Sequence, residues 1–441
     1  MPKERPSSFK VNEAAFKNLK ERILSTTSEL YAGDFGLSNI ASTLDMKPLE
    51  PPRPKLNILL IGPHSSGKSS LANYIAGSHV QKTGSAICTT GLNCITAGKR
   101  RDTITGKMSL HLFPFLKDLV KEDPVVLDHI TTEVTPGTGY FNLLNIFDTA
   151  GMVDSLSFSF NMDLAIDHLA KVADLIFVLF DPIQKSTGPR AMEVIKRVAS
   201  THPARIHFFL TKIDTVHDQM DLQRVLLQTS QVLAKELPFL KDLSVEPICL
   251  PSESSNCDSR LNQLDSLVKL INSTLNQRVQ GSLNSLESDI GCIKETIVKK
   301  RNADDRYRKL NRRGTLKGFM YKLPLVFLFF VSIMFSCINP RGEFVLFKFR
   351  FFNIPRILSP FSSVVKRIGD FLVESSFGRK FLAFLWSLVL ILAFLLPKFM
   401  VKKAPVLDKR ASEELIAIEK RLEEVSSIQE KLFEEFVRET L

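Results

Sequence analysis

Gly62-Pro63-His64-Ser65-Ser66-Gly67-Lys68-Ser69 is the stretch that decides the fold. It matches GxxxxGK[ST] at every fixed position. Glycines at both ends of such a loop let backbone N–H groups curl around a phosphate. The lysine reaches the β and γ oxygens, and the last hydroxyl suits a Mg²⁺ ligand. The short apolar run Lys55–Ile61 precedes the loop and reads as a buried parallel strand, while Ser69–Ala76 reads as the helix after it. A loop between a strand and a helix N-terminus favours anions, because unpaired N–H groups and the helix dipole point at the ligand. A chance match lacks that context.

Working outward, further short apolar runs are Phe141–Phe147, Leu175–Phe180 and Ile206–Leu210, with helical patterns at Arg190–Ala199 and Leu222–Leu237. The alternation predicts an α/β fold: a P-loop domain with a central, mostly parallel sheet and ligands at the strand ends. Two of these strands end in polar signals. Asp148-Thr149-Ala150-Gly151 offers a carboxylate for the Mg²⁺ shell and a Gly151 N–H near the γ-phosphate. Thr211-Lys212-Ile213-Asp214 offers a carboxylate for the two N–H groups on the guanine edge, with the Lys212 stem across the ring. Either pattern is common alone. In order, on successive strand ends, the three predict a site for GTP and Mg²⁺.

The expected nucleotide ligands are Gly62, Ser65, Ser66, Gly67, Lys68, Ser69, Ser70, Thr90, Asp148, Gly151, Thr211, Lys212, Asp214 and Ser252. Ser252 belongs to Leu250-Pro251-Ser252, where a fourth base-facing loop is expected. The metal set is Ser69, Thr89 and Asp148. Thr89 and Thr90 are alternative candidates for one switch threonine, since they lie in a Gly/Ser-rich loop before Leu92–Ala97. Met152 follows Gly151, so no glutamine is available there to position water. Ser65 and His64 are the alternatives, with Lys68 and Thr89 completing the catalytic set. A plain solvent-facing role for His64 weighs about equally.

The chain holds 441 residues, 44% hydrophobic and 24% charged, which suits two or three folded domains. We expect an amphipathic helix over 9–31 and a Pro-rich linker within 1–50, a nucleotide domain at 51–275 and a helical stalk at 276–318. A membrane hairpin is expected at 319–400, and a C-terminal amphipathic helix at 401–441. Net charge is +11, and 33 Phe stand against 5 Tyr and 1 Trp. The basic residues thicken around the apolar blocks, not in an aromatic-interleaved pattern, which favours a lipid partner and no nucleic acid. Leu323–Ile338 and Phe381–Leu396 each hold 16 uncharged residues. Such a helix is slightly short for a bilayer core of roughly 30 Å. Basic flanks such as Lys317, Lys322, Lys398 and Lys402 suit snorkelling. The segment 339–380 carries eight Lys/Arg against three Asp/Glu, which resists translocation and favours a shallow hairpin over two full spans. Core helices of a stalk are the other reading of the two blocks. Leu415, Ile418, Leu422, Val425, Leu432 and Phe436 mark a near-heptad helix, read equally as coiled coil, membrane-lying or plain stalk. Six cysteines without a CxxC pair read as reduced thiols of a cytosol-facing protein.

Gly62–Ser70 is similar to the P-loop of the dynamin superfamily, with Pro-His where its members usually carry Ser-Gln. Thr211-Lys212-Ile213-Asp214 resembles that family's T-K-x-D. Lys17–Phe35, Cys88-Thr89-Thr90 and Asp174–Pro182 resemble in particular the EH-domain ATPases and sarcalumenin, over roughly residues 10–260. Thr211 departs from the N-K-x-D of those adenine binders, which favours GTP and keeps ATP as the alternative; no EF-hand-like loop follows. In organisation, a nucleotide domain before a hydrophobic pair and an amphipathic helix is similar to mitofusins and atlastins. The resemblance implies a GTPase anchored at a membrane, with its G domain in the cytosol. Endoplasmic reticulum, mitochondrial outer membrane and endosome are the candidate organelles. It also implies homodimers through G domains, higher oligomers, and membrane remodelling, tethering, fission or fusion. A switch that binds GTP or ATP and recruits an effector is the other functional class.

Overall fold

A computed structural model describes residues 7–84, 91–137, 139–152, 159–183, 188–216, 218–251, 261–336, 388, 391–392, 395 and 403–440. Two compact units divide it: residues 1–292 with 421–441, and residues 293–420.

The first unit is built on an eight-stranded sheet in the order β3-β4-β2-β5-β1-β6-β7-β8. The strands are β1 (Leu56–Ile61), β2 (Leu92–Gly98), β3 (Asp102–Thr105), β4 (Ile130–Pro136), β5 (Leu144–Thr149), β6 (Leu175–Phe180), β7 (Ile206–Leu210) and β8 (Val245–Pro247). Strands β1, β5 and β6 are buried along their whole length, which explains their near-continuous apolar runs. Neighbouring pairs from β5 to β8 are parallel, as is β2 with β4, while β2–β5 and β3–β4 are antiparallel. The expected mostly parallel α/β sheet is therefore present, with two antiparallel joints on one side.

One expected strand is shorter than its apolar run. Gly139–Leu143 forms a 3-10 turn, and β5 starts only at Leu144. Phe141 is fully buried in that turn, so its apolarity reported core and not strand. Strands β3, β4 and β8 were not anticipated. β3 and β8 are short, and β3 is largely exposed, so they lack a long apolar run.

Helices cover both faces. One face packs α3 (Lys68–Ala76) with α1 (Ser7–Tyr31), the start of α9 (Leu264–Ser336) and the end of α10 (Lys409–Thr440). Ile23, Leu267, Ile271, Val279, Leu432 and Phe436 belong to that core. Tyr31 Oη donates to Asp289 Oδ2 at 2.6 Å, and Arg22 pairs with Glu435. The other face packs α5 (Leu116–Glu122), α6 (Met162–Val172), α7 (Pro189–Thr201) and α8 (Gln219–Glu236). The remaining helices, α2 (Leu37–Thr43) and α4 (Ser109–Leu112), are short.

In the second unit, Asn311 exchanges two hydrogen bonds with the backbone of Ala404, at 2.8 and 2.9 Å. Asp304 accepts from Leu407 N and Arg308 Nε, and Arg301 pairs with Glu419 at 3.1 Å. Residues 276 and 319, expected as boundaries, both lie inside α9. Leu323–Ser336 is the last part of that helix, with Pro324 inside it. Among the described residues, no helix is long and apolar enough to cross a membrane, so the membrane hairpin expected over 319–400 gains no spanning helix from the structure. The segment 339–380, and all of 381–396 except residues 388, 391, 392 and 395, lie outside the described residues.

Cys249 is disulfide-bonded, against the expectation of six reduced thiols, and its partner lies outside the described residues. Cys94 is buried in β2, and burial pushes its thiol up to about 12; Cys292 is exposed. The thiolate is the reactive form. Iodoacetamide at pH 8 should therefore label Cys292 in the native protein and spare Cys94, as read by peptide mass mapping. Comparable labelling of both would show that β2 opens readily.

Candidate functional site

The site lies at the C-terminal ends of β1, β5, β6 and β7, where parallel strands place ligands. The loop after β1 holds three residues at positive φ: Gly62 at 157°, Ser65 at 58° and Gly67 at 82°. Ser65 is the one with a side chain, and a left-handed backbone there stores of order 1 kcal/mol or more. Gly67 caps α3, whose first turn begins at Lys68. A first cavity of about 90 Å³ is lined by the loop from His64 to Ser70, by Thr149, Gly151 and Lys212, and by Lys82-Thr83-Gly84.

Lys68 is buried, and its Nζ donates to the carbonyls of Gly62 (3.0 Å) and Pro63 (2.8 Å). Burial lowers its pKa to about 8, opposed by nearby Asp148. Asp148 is fully buried at the end of β5. Its Oδ2 accepts from Ser69 Oγ at 2.6 Å, while its Oδ1 has no hydrogen-bond partner. Burial raises its pKa to about 6, opposed by Lys68 and Ser69. A buried carboxylate oxygen left unpaired costs free energy unless something binds it. Such an atom beside a serine hydroxyl fits a hard divalent cation, which needs only one or two protein oxygens when phosphates supply the rest. Among the described residues no group of three or more His, Cys, Asp or Glu is placed to hold a metal ion by itself.

A second cavity of about 510 Å³ adjoins the first and shares Gly67, Ser70, Thr83 and Lys212 with it. Asp214, Tyr74, Leu250 and Pro251 also line it. That volume suits a base and ribose. Lys212 sits at φ 51°, and its Nζ bonds Asp181 at 3.0 Å. Thr211 behaves differently from its neighbours. Its hydroxyl is buried, donating to Ser66 O and Phe180 O at 2.8 and 2.9 Å. It braces the phosphate loop against β6.

The structure thus brings together Gly62, His64, Ser65, Ser66, Gly67, Lys68, Ser69, Ser70, Asp148, Gly151, Thr211, Lys212 and Asp214. Thr89, Thr90 and Ser252 lie outside the described residues. Sequence reasoning missed Asn73, Tyr74 and Lys82–Gly84 as lining residues. Asn73 Oδ1 accepts from the N–H groups of Val80 and Gln81 at 2.9 and 2.7 Å, shaping the loop that leads to Lys82. No motif marks that asparagine; the Lys82-Thr83-Gly84 turn composition was the available signal.

No curated protein matches this chain. Two solved chains are similar over 96% of this chain and 74% of their own, at 15% and 13% identity, each with a TM-score of 0.42. They are described as an oligomerised bacterial dynamin pair that provides a mechanism for long-range sensing and tethering of membranes. A point variant of Aquifex aeolicus Era bound to GDP and AlF4⁻ is similar over 49% of this chain and 55% of its own, at 16% identity and a TM-score of 0.28. The stretch 58–141, from β1 through the phosphate loop to the turn before β5, matches the model of the dynamin family.

Proposed function

We propose that this chain is a dynamin-like GTPase that binds GTP with Mg²⁺ and hydrolyses it at a membrane. The observation that carries the reading is the unpaired, buried Oδ1 of Asp148, set beside Ser69 and Lys68 at the end of the P-loop. Lys68 gives up two backbone carbonyls to reach the β and γ oxygens. Ser69 and Asp148 hold Mg²⁺, which neutralises phosphate charge when bound, and Thr89 or Thr90 supplies the switch ligand. Gly62, Ser66, Gly67 and Ser70 line the phosphates. Gly151 N–H faces the γ-phosphate, and Ser65 with His64 orients the attacking water. Asp214 accepts the guanine N–H groups, with the Lys212 stem and Ser252 at the base.

Three features support the membrane part. Phe319, Met320, Leu323, Val326 and Phe327 are exposed at helical spacing on α9, next to Lys317 and Lys322. Leu388, Ile391, Leu392 and Leu395 repeat that pattern, helical and exposed. The Asn311–Ala404 pairing starts and ends the intervening chain at one place, as a hairpin needs. An apolar stripe with basic neighbours suits insertion into one leaflet. Nucleotide-dependent pairing of G domains would then couple turnover to remodelling or tethering, in the manner of the dynamin, mitofusin and atlastin likeness. The effector-recruiting switch is the second reading, favoured by the lack of a glutamine after Gly151.

Titration of the full chain with GTP and ATP tests the site. GTP should bind at least tenfold tighter, and Asp214→Asn should lose that preference while keeping phosphate contacts. Equal affinities would remove the base assignment. Turnover should rise on anionic liposomes, and no rise would leave the switch reading.

A further inference from the structure

A second cleft opens at the opposite end of the sheet from the P-loop. Strands β1, β6 and β7 run parallel and start there, at Leu56, Leu175 and Ile206. The residues just before them, Arg53, Asp174 and Arg205, line one wall of a cavity of about 780 Å³. Arg278 and the hydroxyl-rich face of α9, including Ser273, line the other. All of it belongs to the first compact unit.

Three guanidiniums meet here around one carboxylate, to which Arg278 Nη2 also donates at 3.4 Å. Asp174 is shared: Asn57 N donates to its Oδ2 at 2.9 Å, while Arg53 and Arg278 stand 3.6 and 3.3 Å from its Oδ1. Arg53 Nη1 donates to Val172 O and Arg205 Nη1 to Ala173 O, at 2.5 and 3.0 Å. Those carbonyls pin the two forks from behind without cancelling their charge. Arg278 Nε is buried and has no hydrogen-bond partner. Burial works against the charged form of Arg53; Asp174 opposes this, and Arg278 and Arg205 add repulsion. Glu50 is the other acidic group at the rim, and burial disfavours the charged form of His207. A planar fork of donors matches phosphate oxygens in pairs.

We propose that this cleft binds a small anion carrying two or more phosphate groups, which ties α9 to the starts of β1, β6 and β7. A phosphorylated metabolite and a lipid headgroup share that chemistry. The volume falls within the range of small-molecule sites and exceeds what one inorganic phosphate fills.

The test uses the full chain with saturating GDP in every arm, titrated with inositol trisphosphate by calorimetry. Saturable binding is expected, weakened about tenfold by Arg205→Gln and by Arg278→Gln, one charge-assisted contact each. Ser273→Glu, which sets a carboxylate in the cleft, should weaken it similarly. Arg205 is exposed, so Arg205→Gln keeps its fold; an unshifted unfolding midpoint without ligand checks this. Vesicles carrying phosphatidylinositol bisphosphate distinguish the sources. Tighter binding to vesicles that Arg205→Gln abolishes assigns the phosphates to a lipid, and no gain over the soluble probe assigns a metabolite. Absence of binding, binding by all three variants as tight as by wild type, or competition with GDP would overturn the proposal.

Discussion

Replacing Lys68 with alanine cuts nucleotide turnover by at least about a hundredfold and leaves the nucleotide-free protein no less stable. The first half follows from losing the buried ammonium that the proposed function assigns to the phosphates, where such a donor contributes about 3 kcal/mol or more. The second half follows from what the lysine does in the free protein. Its charge is buried, held by two carbonyls and a carboxyl it does not directly bond. Its folded pKa of about 8 lies below the ordinary 10.5, so the cost of burying the charge is fully present below pH 8. It fades as pH rises towards 10.5, where the unfolded chain also loses its proton. Alanine removes that cost at neutral pH and takes one donor from each of the Gly62 and Pro63 carbonyls, which keep Met152 N and Ser66 N, so the loss offsets the gain only in part. Stability of the wild type should therefore gain on that of Lys68→Ala between pH 8 and 10.5. Turnover assays at pH 7 and thermal unfolding across that window read both halves. Turnover within tenfold of wild type would remove Lys68 from the site's chemistry.

Two glycine substitutions should fail in different ways. A Cβ at Gly62 would stand 2.4 Å from the carbonyl oxygen of Leu179 and 2.7 Å from Ser66 Oγ. Leu179 belongs to a strand buried on both faces, so neither backbone has room to move. Gly62→Ala should cost about 1–3 kcal/mol in denaturant unfolding and abolish nucleotide binding. A Cβ at Gly151 would stand 2.5 Å from His64 Cα. That contact lies beyond the sheet, where Met152 N donates to Gly62 O at 3.3 Å and Pro63 bridges to Met152. Gly151→Ala should push the Asp148–Gly151 loop off the phosphate loop and weaken nucleotide binding about tenfold or more. Its unfolding midpoint should fall less than that of Gly62→Ala, because the clash with His64 lies at a loop beyond the strand ends, although the neighbouring Ala150 and Met152 are buried in the core. Equal destabilisation by both substitutions would show that the two loops are part of the folding core.

The loop after β1 was legible because its demands are local. Gly62, Gly67, Lys68 and Ser69 must sit within one turn of backbone after an apolar strand, and the chain writes those demands in eight consecutive residues. The strands β1, β6 and β7 were legible because burial on both faces favours near-continuous apolar runs, unbroken in β6 and interrupted by one polar residue each in β1 (Asn57) and β7 (His207). Phe141 misled for the same reason: apolarity marks burial, and burial also occurs in a 3-10 turn.

Sequence alone determined that a GxxxxGKS loop follows β1, that an aspartate lies near the end of β5 and that Lys212 and Asp214 follow β7. Tertiary structure decided what no local pattern encodes. It turned β2 antiparallel to β5 and buried the Thr211 hydroxyl beneath the phosphate loop. It also gathered Arg53, Asp174, Arg205 and Arg278 into one cleft. The physical reason is distance along the chain. Short-range patterns report backbone geometry and burial, whereas charges separated by up to 225 positions, as Arg53 and Arg278 are (278 − 53), meet only once the sheet and α9 pack.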